Sequence, residues 1–229
     1  MYFFYDSYYL MLVVPVIIVS VIIQARLKST YAKFSSLKNM RGITGAQAAK
    51  VVLDYYGVTD VVITQGMGKL SDHYDPTNKT IVLSNEVFSS SSIAAVGIAC
   101  HEAGHAAQHA EGYLPIKVRN SFLPVCNIGS TLSIPLLIAG YFFGYMPLVW
   151  IGVGFFSFTA IFQFLTLPVE FNASNRAISV IESNGLLSFE EKLGATKVLK
   201  VAAMTYVAAL AVSLANILRL ILRANGRRR

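Results

Sequence analysis

The ten residues Cys100-His101-Glu102-Ala103-Gly104-His105-Ala106-Ala107-Gln108-His109 decide how the rest of the chain is read. Ala recurs through the stretch and is the strongest helix former, so a helix is expected here. On a helix, residues four apart lie one turn apart on one face. His101 and His105 then offer two imidazole nitrogens to one metal ion, and Glu102 beside them can hold a water and take its proton. With 4 His and seven Glu in 229 residues, this H-E-x-x-H spacing arises by chance roughly 0.002 times. The bland alternative is an Ala-rich core helix with incidental His. Two His and an acid on one face are costly to bury without a partner, which weighs against it.

Outward from the motif, Ser89 to Ser92 offer N-caps and Gly112 a stop, giving a helix from Ser92 to about Ala110. Upstream, Thr44 and Gln47 fit a capping box. Ala48, Val51, Val52 and Tyr55 follow at helical spacing and Gly57 ends the run, so a helix is expected from about Gly45 to Tyr56. Val61 to Thr64 and Lys79 to Ser84 read as short β-branched strands. Gly66, Gly68 and the turn-rich Ser71 to Asn78 separate them, and the expectation is a small antiparallel β ribbon.

The chain is 55% hydrophobic and 14% charged, with mean hydropathy +0.56, too apolar for an ordinary soluble domain. Charge-free runs locate the excess: Ser7 to Gln24, Asn120 to Val169 and Val201 to Leu218. A span needs ~20 apolar residues, so these read as one, two and one membrane segments. The middle run suits a helical hairpin turning near Gly144-Tyr145-Met146-Pro147. The first run has no basic region before it and no small-residue cleavage site after it, unlike a signal peptide. Tyr2, Tyr5, Tyr8 and Tyr9 suit an interfacial belt.

The fold class expected is mainly α: an integral membrane protein with about four membrane helices and the β ribbon. The layout divides into a first membrane helix (1–25), a cytoplasmic-side region with the H-E-x-x-H helix (26–119) and a membrane hairpin (120–169). A second catalytic segment (170–200) and a last membrane or interfacial helix with a basic tail (201–229) complete it. The net charge of +7 flanks the membrane runs: Arg26, Lys28, Lys33, Lys38 and Arg41 after the first, and Arg219, Arg223, Arg227, Arg228 and Arg229 at the end. That placement suits lipid headgroups and cytoplasmic loops, and no aromatic-basic module points to nucleic acid. Four spans beginning outside put the Arg-rich end outside too. Either the last segment lies in the interface or re-enters, or the first is not a full span. The ten Lys and Arg between 26 and 119 place the catalytic region on the cytoplasmic side. Cys100 and Cys126 are too few for a disulfide framework and read as buried, inert hydrophobes.

A catalytic zinc takes three protein ligands and one open position. His109 lies eight residues after His101, ~12 Å along a straight helix, too far for one zinc to bridge. It is expected at the rim or the membrane interface. Glu111 lies past the helix end. Glu170 opens a segment directly after the hairpin, and a hairpin returns the chain to the side it left, so Glu170 is the favoured third ligand. Its alternative is an acid complementing a helix N-terminus. Ser174, one turn on, can hydrogen-bond a ligand or sit as a plain surface Ser. His73 and Tyr74 read either as part of an Asp-Pro turn or as donors toward substrate. The neighbouring Lys79 to Ser84 edge offers a place for an extended peptide.

Seven blocks resemble the YugP-type neutral zinc metallopeptidases of bacterial membranes. They are Thr44 to Ala46, Ser71 to Pro76, Val82 to Ser84, Ser92 to Val96, His101 to Gln108, Asn127 to Ser130 and Pro168 to Phe171. The layout also looks like the HtpX and CAAX prenyl endopeptidase group. The resemblance implies a multi-pass zincin of the cytoplasmic membrane, with His101, His105 and Glu170 on zinc and Glu102 as base. Asn172 stands where the family usually carries Asp, and Asn175 where it carries Arg. The expected activity is zinc-dependent hydrolysis of peptide bonds in membrane or membrane-near proteins, with zinc as cofactor and the bilayer as partner. The alternatives are an inactive zinc-binding membrane scaffold and a transporter component. Intact Glu102 speaks against the first, and membrane runs nearly devoid of ionisable residues against the second.

Overall fold

A computed structural model describes residues 6–68 and 71–226. Tyr2, Tyr5, Arg227, Arg228 and Arg229 lie outside the described residues. The chain opens with a short π-helical stretch, Tyr9–Val13, that runs into α1, Val14–Ser35. Then follow α2 (Gly45–Tyr55), β1 (Val62–Gly66), β2 (His73–Asp75), β3 (Thr80–Ser84) and α3 (Asn85–Phe88). The last four helices are α4 (Ile93–Ala110), α5 (Leu114–Phe142), α6 (Met146–Ser183) and α7 (Phe189–Gly226). Among the described residues, four helices are long and apolar enough to cross a membrane: Tyr9–Ser35, Leu114–Phe142, Met146–Ser183 and Phe189–Gly226. The protein is mainly α, and these helices mark it as a multi-pass membrane protein.

The chain divides into two compact units. The first takes the chain up to Gln24, Val118–Leu167 and Met204 onward. Within it the α5–α6 hairpin turns at Gly144, whose φ of +67° favours Gly. Small residues let the two arms close. A Cβ on Gly129 would lie 2.6 Å from the Phe158 ring, and one on Gly140 would lie 2.7 Å from the Val149 main chain. Asp6 accepts hydrogen bonds from Arg219 (Nη2, 3.0 Å) and Arg223 (Nη1, 3.2 Å). The guanidiniums also stack over Tyr9 and Tyr141, at 4.9 and 4.6 Å. The start of the first membrane helix and the end of the last therefore meet.

The second unit, Ala25–Lys117 with Pro168–Ala203, holds the larger core. Its helix starts follow their caps. Thr44 accepts from the Gln47 N–H and Gln47 returns a bond to Thr44, the expected capping box. Ser92 accepts from the Ala95 N–H at the head of α4. Ser188 and Glu191 exchange bonds at the head of α7. Gly112 and Gly185 end α4 and α6 with φ of +67° and +57°. The buried sides of β3 (Ile81, Leu83) and α2 (Ala49, Val52, Leu53) share one core with Ala99, Ala103 and Ala106 of α4.

The sheet differs from the expected antiparallel ribbon. Its order is β1-β3-β2, with β1 parallel and β2 antiparallel to β3. The reason is that His73–Asp75, expected within a turn, forms a third strand. The chain reverses once before it and again through Pro76 to Lys79, so β3 runs the same way as β1. Asp72 steadies the new strand's entry by accepting from the Ser84 N–H at 2.7 Å. β3 is thus central, and the peptide-binding edge expected along Lys79 to Ser84 is taken on both sides.

Gly104 sets the distance between α4 and α6. A Cβ there would lie 2.8 Å from the Ala173 carbonyl oxygen, whereas one on Gly154 would meet nothing within 4 Å. Ala is worth ~0.5–1 kcal/mol more than Gly inside a helix. Gly154→Ala is therefore expected to hold or raise the melting temperature. Gly104→Ala is expected to lower it by several degrees, since overpacking costs ~1–3 kcal/mol and each kcal/mol is worth ~2–4 °C at this size. Thermal unfolding in detergent measures both; equal shifts would mean that the helices slide apart freely.

Candidate metal centre

Glu170 lies in α6 and the two histidines in α4, and α4 and α6 meet where Gly104 faces Ala173. On α4, His101 is three residues before Gly104 and four before His105. On α6, Glu170 is three before Ala173. Side chains at these spacings share a face, so the helix contact presents all three groups to one point. The Nε2 atoms of His101 and His105 lie 3.3 and 3.7 Å from one oxygen, Oε2, of the buried Glu170. The rings stand edge to face, 4.7 Å between centroids.

The group suits a divalent cation. One ligand atom from each of His101, His105 and Glu170 lies within 4.8 Å of the others. Zinc bonds of ~2.0–2.2 Å at tetrahedral angles set ligand atoms roughly 3.3–3.5 Å apart, close to the separations here. The donor set of two imidazoles and one carboxylate leaves a fourth position open, which a purely structural zinc would fill. Burial opposes charge on His105, yet the neighbouring carboxylates of Glu170 and Glu102 hold its pKa above the usual histidine value. The three side chains attract a positive charge at this point, whether proton or metal.

The rear nitrogens of both histidines are engaged. The Ser174 hydroxyl lies 3.1 Å from His101 Nδ1. The Gln108 side-chain oxygen lies 3.0 Å from His105 Nδ1. Gln108 is fully buried, and its NH2 group donates to the Val169 carbonyl at 2.8 Å and to Asn172 Oδ1 at 2.9 Å. Arg176 Nε donates to the same Asn172 oxygen at 2.7 Å. Glu102 is half-buried on α4, the residue directly after His101.

His109 stands apart from this group. Its Nδ1 lies 2.9 Å from the Tyr74 hydroxyl, which joins β2 to the end of α4. Those two side chains line a cavity of about 290 Å³ with Asp60, Lys79, Ala106 and Ala110. His73 is exposed, with Nδ1 2.7 Å from the Ser71 carbonyl. Glu111, the other acid weighed as a ligand, caps α4 and pairs with Arg176 at 2.7 Å. Cys100 is buried, and burial pushes its thiol pKa up, away from reactivity. Cys126 is buried as well.

Sequence reading did not single out Gln108. The signal was present: Gln108 follows His105 by three residues and so shares its face. Its partners, Val169 and Asn172, lie more than sixty residues away.

Comparison with known proteins points to zinc chemistry. The model of the family described as "Putative neutral zinc metallopeptidase" matches residues 9–225. The chain is also 42% identical over 205 residues to the "Putative membrane protease YugP" of Bacillus subtilis (strain 168), covering 89% of this chain and 91% of that relative. No solved structure matches. With the family model spanning nearly its whole length, the chain belongs to the family described as "Putative neutral zinc metallopeptidase".

Proposed function

We propose that this protein is a multi-pass zinc endopeptidase of the cytoplasmic membrane, hydrolysing peptide bonds of membrane or membrane-proximal proteins. His101, His105 and Glu170 are the metal ligands and Glu102 is the general base. One observation carries the reading: two imidazole Nε2 atoms converge on a single buried carboxylate oxygen, with a second carboxylate, Glu102, adjoining them on α4. Family membership and the relative named as a membrane protease support it.

When bound, zinc supplies Lewis acidity to the scissile carbonyl and lowers the pKa of the attacking water. Glu102 takes the water's proton on its carboxylate and delivers it to the leaving amide nitrogen, so one group serves both half-steps. His101 and His105 present Nε2 as neutral donors, held from behind by Ser174 and Gln108. Glu170 adds the one negative charge of the ligand set.

The Glu102→Gln variant is expected to keep zinc at parental stoichiometry and to lose ~10²–10⁴-fold in casein cleavage. Parental turnover by that variant would reject Glu102 as the base. Glu170→Ala is expected to lose zinc on dialysis, measured by elemental analysis of protein in detergent; full retention would remove Glu170 from the ligand set. Sidedness follows from Asn78, exposed in the β2–β3 turn, because both native cysteines are buried. An Asn78→Cys variant is expected to react with an impermeant maleimide only after cells are opened. Labelling of intact cells would place the centre outside.

A further inference from the structure

The hydrogen-bond chain behind His105 has a polarity that can be assigned without seeing a hydrogen. The Arg176 guanidinium only donates, so the Asn172 atom 2.7 Å from Nε is the amide oxygen. The Val169 carbonyl only accepts, so the Gln108 atom 2.8 Å from it is the NH2 group. That NH2 also donates to Asn172 Oδ1 at 2.9 Å, which agrees with both assignments. Gln108 then turns its oxygen toward His105 Nδ1, 3.0 Å away. An amide oxygen only accepts, so Nδ1 carries a hydrogen. A neutral imidazole protonated at Nδ1 has its lone pair on Nε2, the atom that faces Glu170.

His101 lacks such a constraint. The Ser174 hydroxyl behind it both donates and accepts, and so tolerates either tautomer. The chain behind His105 is rigid to its far end. Gln108 is fully buried. Arg176 is clamped by Glu111 at 2.7 Å and lies over the Tyr56 ring at 5.1 Å.

We infer that Gln108 is a positioning residue, with Asn172 as its hub, that holds His105 in the tautomer able to bind metal through Nε2. The inference rests on His101, His105 and Glu170 being the metal ligands. It also gives Asn172 a role: its oxygen takes donors from Gln108 and Arg176 together, which a carboxylate in the same place would do as well.

The test uses the full chain in detergent. Zinc affinity is read by competition with a chromophoric chelator, and the ring nitrogen of His105 that keeps its hydrogen by nitrogen-15 NMR of the zinc-loaded protein. In the parent, the His105 proton is expected on Nδ1. Gln108→Met and Asn172→Leu are expected to weaken zinc binding ~10–100-fold, as loss of outer-sphere partners does, while Asn172→Asp stays within about threefold. Met is unbranched and fills the Gln volume, so the metal-free melting temperature should fall little. A parental His105 with its proton on Nε2, or Gln108→Met binding zinc as tightly as the parent, overturns the inference. If Gln108→Met fails to fold, the parental tautomer decides alone. If the parent binds no zinc, the metal reading fails and the inference falls with it; if the parent binds zinc and Gln108→Met binds it equally, the inference alone fails.

Discussion

The contact between Gly104 and the main chain at Ala173 governs the centre. Where a side chain is absent from one helix, the neighbouring backbone comes in, and short groups on both helices then reach each other. On α4 the stripe that faces α6 is His101, Gly104, His105 and Gln108, spaced at three and four residues. On α6 the answering stripe is Glu170, Ala173 and Ser174. Glu170 meets both imidazoles, Ser174 meets His101, and Gln108 meets the Val169 carbonyl. Each of these contacts is short-ranged. An added gap of one methyl group at Gly104 would open all of them together, since packed helices move as rigid bodies.

A carboxylate and two imidazoles drawn out of water carry a desolvation penalty, and the centre offsets it by mutual pairing. Glu170 has two ring nitrogens on one oxygen, and both rings have a partner on their other nitrogen. The raised pKa of His105 expresses the same arrangement: the acids around it favour a positive charge enough to overcome burial. Metal binding at this point would release that proton, so proton and metal compete for one site.

Legibility in the sequence followed the range of the interaction. The Thr44–Gln47 box and the cap at Ser92 each lie within four residues and form in the structure as read, and the two histidines of H-E-x-x-H stand one turn apart on α4. Glu170 was within reach because a fifty-residue run without charge implies a hairpin, and a hairpin implies a return. The strand at His73–Asp75 was not. Three residues between an Asp and a Pro carry no strand periodicity, and only pairing with β3 makes them one. With that strand hidden, the parallel pairing of β1 and β3 was hidden too. The Gln108–Asn172 link was further still: two ordinary amides, sixty-four residues apart, whose meeting depends on the Gly104 contact already having formed.

That dependence runs through the rigidity of α6. Pro168 sits inside the helix, and the helix continues without a break through Glu170, Asn172, Ala173, Ser174 and Arg176. Each residue advances ~100° around the axis and 1.5 Å along it. Glu170, Ala173 and Ser174 therefore point one way as a set, while Asn172 and Arg176, four apart, share a different face of the helix. With Glu170 turned toward the histidines, Asn172 accepts from Gln108 and from Arg176, and Arg176 pairs with Glu111. The ligand and the chain that orients the opposite histidine are thus set by one angular phase. A change that rotates α6 would lose the carboxylate and the tautomer control in the same step.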